Sequence, residues 1–390
     1  MLALGVFRRY LLAATLGGVG LWVFQTAVYW HALQVTGSST SVGLLAALIQ
    51  VPELALVLFV GGVADRAGSR GLMLLAQFLP ALAAAVSACV AAFMAFDYVG
   101  ALAATGALGL AYALWVVPSQ AYLAAVIPRA FLPAAFGVSI VQYAAGRILG
   151  GVFGGSAVQV GGLPLAFTVA SACFAIGCFL TAVLPAAGPT RPRESAHQGA
   201  TRPVFDSPPI RAPLAIVAIG SLLTYAYLPL MPAVSGELRA GPAGVGLLTA
   251  ASGLGLLAGG MTAGLVAARL GLGWALLSSA FLAAAATVAL AAAGTLPVAG
   301  ALVFLGAAAG AQRNASAQCL VEGYGGAAHR GRYLGALEFV SVLMYVVGAI
   351  IAGLAADKIG VRLTLVAFGL IAGLLLIAVG RRALVTMNEG

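Results

Sequence analysis

Glu53 and Arg147 each fall in the middle of a long apolar run, and so do Arg313 and Glu338. An ionisable group at that depth is costly unless it is paired or hydrated, so each is a candidate for function. A carboxyl there is where a coupling proton could be taken up and released, and Glu53 is the candidate for that role. Its alternative is a structural or hydrated acid. Arg147 is either a cation that displaces protons from an acid or a ligand for helix carbonyls. Arg313 and Glu338 are expected to form a structural ion pair. His31, near the outer end of the first run, is expected to be hydrated. Cys89, Cys173, Cys178 and Cys319 lie in apolar stretches without metal-ligand spacing and read as small hydrophobes. No H-E-x-x-H spacing or aspartate pair occurs in the runs, so neither a metal, a cofactor nor an intramembrane enzyme is expected.

The elements that carry these groups follow from composition. Only 7% of the 390 residues are charged and 62% are hydrophobic, which leaves too few polar residues to cover a water-soluble fold. A helix crosses ~30 Å of hydrocarbon with roughly 20 apolar residues. A barrel would need alternating strands, whereas these runs are apolar on all faces and rich in Ala, Leu and Gly. Twelve spans are expected, at 10–34, 41–62, 71–95, 99–124, 133–158, 164–187, 212–234, 243–265, 272–293, 296–319, 333–355 and 361–380. Arg8-Arg9 then form the basic flank of the first helix rather than an export signal. The net charge of +9 sits at span ends in alternate loops, which argues against nucleic acid. With the N-terminus inside, fourteen basic residues face the cytoplasm and three (Arg239, Lys358 and Arg362) face out, so both termini are expected to be cytoplasmic.

Residues 188–211 are rich in Pro, Arg and Ser and lie at the midpoint of the chain. They read as a cytoplasmic linker between six-helix bundles at 1–187 and 212–390. Gly150, Gly155 and Gly162 recur as Gly348, Gly353 and Gly360 at an offset of 198. Gly61, Arg66 and Gly68 recur as Gly264, Arg269 and Gly271 at an offset of 203. The fold class expected is an all-α membrane protein of two pseudo-symmetric bundles, with a site between them near the midplane.

The loop after the second span reads Gly61-Gly-Val-Ala-Asp65-Arg66-Ala-Gly68-Ser-Arg70. The glycines permit a tight turn, Asp65 can accept from helix N-terminal amides, and the arginines add cations at the rim. A plain basic loop is the bland alternative. The ordered G-x-x-x-D-R-x-G pattern closely resembles the loop motif of the major facilitator superfamily. The resemblance implies a cytoplasmic latch formed by Gly61, Asp65, Arg66, Gly68 and Arg70, with Ser69 at a commonly basic position. Gly146-Arg147-Ile-Leu-Gly150-Gly151-Val-Phe-Gly154-Gly155 permits close helix packing. It also resembles the fifth-helix motif of proton-exchanging exporters, although Gly151 replaces the usual proline. Residues 34–42, 127–137 and 330–338 resemble the enterobactin-exporter and macrolide-efflux branch. That branch often carries an acid early in its first helix, where this chain has Leu21.

Polar and aromatic residues recur at helical spacing: Trp22, Gln25 and Tyr29 on the first span, and Tyr112, Trp115, Ser119 and Tyr122 on the fourth. The seventh offers Ser221, Thr224, Tyr225 and Tyr227, the tenth Gln312 and Ser316, and Tyr143 on the fifth joins the candidate set. Aromatic residues near span ends fit an interfacial belt equally well. In the resembled fold the first, fourth, seventh and tenth helices line the cavity, and an aromatic, weakly charged cavity suits an amphiphilic organic molecule. No G-x-x-x-x-G-K-[ST] loop is present, so a gradient must supply the energy. The expectation is a monomeric secondary transporter in the inner (plasma) membrane, exporting a drug, siderophore or other secreted metabolite in exchange for protons. An importer working by symport or facilitated diffusion is the alternative on the same fold, and a sensor or scaffold is the alternative of another class.

Overall fold

In the computed structural model of this chain the backbone is described for residues 2–128, 131–186 and 208–387. Side chains are described for these except 2–4, 56–67, 133, 134, 136, 208, 209, 325–330 and 381–387. Most of the expected linker, 188–207, therefore lies outside the described residues, as do the side chains of Gly61, Asp65 and Arg66.

All regular structure among the described residues is helical. The first half contains α1 (Leu2–Thr36), α2 (Ser39–Ala67), α3 (Ser69–Phe93), α4 (Tyr98–Val126) and α5 (Leu132–Ala182). The second contains α6 (Pro208–Ile219), α7 (Met231–Glu237), α8 (Gly241–Leu270), α9 (Leu272–Leu290), α10 (Leu296–Ile359) and α11 (Val361–Met387). Ten helices among the described residues are long and apolar enough to cross a membrane, and the apolar stretch Ser39–Ala55 is shorter.

Burial along α3 shows which solvent the fold is built for. Phe78, Leu82 and Val86 recur every four residues and are about half exposed, while Gln77, Ala84 and Ser87 are buried. Large apolar side chains face outward and small or polar ones face neighbouring helices, as hydrocarbon surroundings require.

Two long helices turn back on themselves. In α5, Gly162 has φ +67° and ψ −162°, which breaks the helix into two arms. Gly150 on the first arm packs on Val19, and Phe174 on the second packs on Gly20, so both arms lie along α1. In α10, Arg313 bonds to Thr224 and Ser341 bonds to Ser221. Those two residues would be about 42 Å apart on a straight helix, so the chain reverses between them.

The expected single span at 212–234 is interrupted. After α6 the chain makes a π-helical turn at Gly220–Thr224 and a 3-10 turn at Leu228–Leu230 before α7. The cause is long-range: the Arg313 guanidinium lies against the Cα of Gly220, where any side chain would collide with it. Single-turn π-helical widenings of this kind are frequent at functional sites.

Among the described residues six glycines have positive φ, and they form three pairs: Gly37 with Gly241, Gly68 with Gly271, and Gly162 with Gly360. Their angles match closely, +64° with +63°, +77° with +80°, and +67° with +85°. The close approach of Gly150 to the Val19 carbonyl likewise recurs as Gly348 on the Leu222 carbonyl. The same turns and contacts are thus built twice. The chain divides into two compact units, Met1–Glu194 with Ser235–Ala250, and Ser195–Val234 with Ala251–Gly390.

Candidate substrate cavity

The first unit encloses a cavity with about 520 Å³ of empty space, counting the part open to the outside. Gly17, Gly18 and Leu21 of α1 form one wall, and Tyr112 and Trp115 of α4 another. Gln77 and Pro80 come from α3, Gln142 and Tyr143 from the first arm of α5, and Phe174 from the second arm. Among the described residues its lining is apolar, aromatic or amide, with no charged side chain.

Glycine on α1 makes room for the amides. A Cβ at position 17 would stand 2.6 Å from Nε2 and 2.9 Å from Oε1 of Gln77, and one at Gly177 would stand 3.1 Å from each. Gln77 therefore slides between α1 and α5 with 2% of its surface exposed. Its Nε2 donates to the Ala13 carbonyl at 3.1 Å, while its Oε1 is buried without a hydrogen-bond partner. An unmet acceptor in such a place costs about 1–3 kcal/mol.

Tyr112, Trp115 and Tyr143 share this cavity, whereas Trp22, Gln25, Tyr29 and Ser119 do not line it. Trp22 packs edge-on to Tyr143, with ring centroids 6.3 Å apart. The Arg147 guanidinium, 1% exposed, sits 4.4 Å from the centre of the Trp22 ring. Gln25 and Tyr29 are buried further along α1, and Ser119 donates back to the Val116 carbonyl at 3.0 Å. Gly146, Gly150 and Gly154 face α1, while Gly151 and Gly155 face residues 242–250 of α8. The fifth-helix glycines are thus packing positions on two opposed faces.

Glu53 is half-buried on α2, beside Pro52, and accepts from Gln50 Nε2 at 3.3 Å. Gly68 forms the turn into α3, and Arg70 donates to the Ala182 carbonyl at the C-terminal end of α5, where a cation also meets the negative end of the helix dipole. His31 is not merely hydrated, because its Nε2 donates to the Phe96 carbonyl at 2.6 Å.

In the second unit the candidates gather at the π-helical turn. Ser221 and Ser341 hydroxyls lie 3.0 Å apart, and the rings of Tyr225 and Tyr345 lie 5.4 Å apart. Thr224 accepts from Arg313 Nη1 at 3.3 Å, and Asn314 Oδ1 accepts from its Nε and Nη2 at 3.3 and 3.1 Å. The pair expected between Arg313 and Glu338 is not formed. Neutral oxygens on adjoining turns satisfy the guanidinium, and Glu338 is exposed. Ser316 is buried with its hydroxyl unbonded, and Gln312 is half-buried.

Sequence reasoning missed Gln77 and Gln142. The readable signal was an amide isolated in each of two apolar runs, with the Gly17-Gly18 pair on a third.

Solved transporters share this fold. A bacterial homolog of the human lysosomal transporter Spinster, inward-facing and unoccupied, superposes with a TM-score of 0.76 at 15% identity, covering 98% of each chain. A D-xylose–proton symporter gives 0.74 at 17% identity over 94% of this chain and 96% of that one. A bacterial homologue of the iron transporter ferroportin gives 0.69 at 16% identity, covering 97% and 99%. Among curated proteins, none matches the sequence. The fold is that of these solved transporters, and the family match makes the chain a multi-pass membrane transporter of the major facilitator type, not an enzyme. The chain belongs to the transmembrane secretion effector family, whose model matches residues 1–389.

Proposed function

We propose that this protein exports a small amphiphilic organic molecule in exchange for protons, by alternating access of its two halves. The observation that carries the reading is the cavity of aromatic and amide side chains, without a charged lining group among the described residues, which suits a neutral or weakly polar organic body. The secretion-effector family supports the outward direction. The resemblance of residues 34–42, 127–137 and 330–338 supports a drug, siderophore or similar secreted metabolite as cargo. Glu53, a half-buried carboxyl on an apolar helix, is the proton-coupling group of the proposal.

The proposed topology has twelve crossings, with both termini in the cytoplasm of an inner-membrane protein. Its supports are the ten long apolar helices, the break at Gly162 that divides one of them, the apolar stretch Ser39–Ala55, and the inward excess of arginine. Bundles at 1–187 and 212–390, a cytoplasmic latch at Gly61, Asp65, Arg66, Gly68 and Arg70, and a monomeric state complete the proposal.

Transport assays in right-side-out and everted vesicles, with a pH gradient imposed each way, test it. Export is expected to follow an inward proton gradient. Concentrative uptake under that same gradient would assign import instead.

A further inference from the structure

We propose that the cavity of the first unit is a hydrogen-bonding subsite for a neutral, planar group bearing an O–H or N–H donor. Gln77 Oε1 reads the donor, the Gln142 amide bonds the atom that carries it, and Tyr112 and Trp115 supply the aromatic wall. The inference rests on the transport reading only in taking the bound group to be part of the cargo.

Gln77 donates through Nε2 to Ala13, which fixes the orientation of its amide and leaves Oε1 as the end without a partner. That acceptor is buried, on a side chain that lines the cavity and is 2% exposed. Gln142, half-buried on the first arm of α5, forms no hydrogen bond among the described residues. Its amide can turn to donate or to accept. The two amides flank consecutive glycines of α1, since Gln77 lies where a Cβ of Gly17 would be and Gln142 Nε2 lies 3.4 Å from where a Cβ of Gly18 would be. This glycine strip is as thin as backbone allows. Tyr112 and Trp115 stand three residues apart on α4, on adjoining turns of one face. Such an aromatic and amide lining suits a neutral ring, whereas an ion would lose its hydration with no charged side chain among the described lining residues to replace it.

The test measures binding of 1-naphthol and 1-methoxynaphthalene, which share a ring and differ in the donor, to the purified full-length chain in lipid nanodiscs by equilibrium dialysis. 1-Naphthol is expected to bind about tenfold tighter, the worth of one buried hydrogen bond. Gln77→Leu, which removes the open acceptor, is expected to bring the two probes within about twofold, and Gln142→Leu is expected to weaken both. Trp115→Ala is expected to weaken both alike. Gln142→Leu removes no hydrogen bond among the described residues, so its effect on binding tests the subsite even where Gln77→Leu fails to fold. Equal binding of the two probes, a preference that survives Gln77→Leu, unweakened binding in Gln142→Leu, or no binding at all overturns the subsite. Export in vesicles with equal probe binding would sink the subsite and leave the transport reading standing. Selective binding without flux of any amphiphile would do the reverse.

Discussion

At Glu53 a carboxyl, a proline and a glutamine meet on one turn of α2. Pro52 has no N–H to offer the Leu48 carbonyl, and Gly109 of α4 packs against that carbonyl, so the turn holds a freed backbone oxygen beside an acid. Glu53→Gln keeps the shape and the bond from Gln50 but removes the exchangeable proton. It is expected to abolish pH-driven export while leaving the thermal midpoint unchanged, and normal proton-driven flux in everted vesicles would count against the assignment. Arg147 calls for a different experiment, because its charge rests on the face of Trp22. Trp22→Leu is expected to cost about 1 kcal/mol or more, read as a lower unfolding midpoint in detergent, with Trp22→Phe intermediate.

Between elements, glycine sets how closely the helices pack. A side chain at Gly150 would meet the Val19 carbonyl at 2.6 Å, and one at Gly348 would collide with the Leu222 carbonyl. Gly150→Val and Gly348→Val are each expected to destabilise the protein by about 1–3 kcal/mol, measured as a loss of monodisperse protein on heating. A normal midpoint in either would show that the approach is not required. These glycines were legible in the sequence because a repeated need for a missing side chain leaves a repeated letter at a constant offset. Gly68 with Gly271 and Gly162 with Gly360 could be paired from sequence for the same reason. The interruption at Gly220–Thr224 was not legible, since it is imposed by Arg313, ninety residues on, and the local run stays apolar through it. Gln77 and Gln142 were passed over for a related reason. Each is a lone uncharged amide in its run, and only the α1 glycines, two helices removed from one of them, make it part of a wall. Tyr112 and Trp115 needed no such help, being neighbours on one helix face.

Across the whole molecule the testable quantity is sidedness. In a chain stripped of its four native cysteines, Ser195→Cys is expected to react with an impermeant maleimide only in everted vesicles. Gly294→Cys is expected to react only in right-side-out ones. Labelling of residue 195 from outside would invert the topology, and with it the direction of export.

The doubled architecture is not of equal height. The start of α4 pairs with the start of α10 at an offset of 198, yet α3 and α9 begin at an offset of 203. The five missing residues therefore come out of the stretch that begins with α9, which has 19 residues where α3 has 25. At about 1.5 Å per residue that is roughly 28 Å against 37 Å. A rod of 28 Å barely matches ~30 Å of hydrocarbon, so it must stand nearly upright or pinch the lipid around it, while its longer twin has length to lean. Acyl-chain length is thereby a control knob for this protein: thick membranes penalise the short helix and leave its longer twin indifferent.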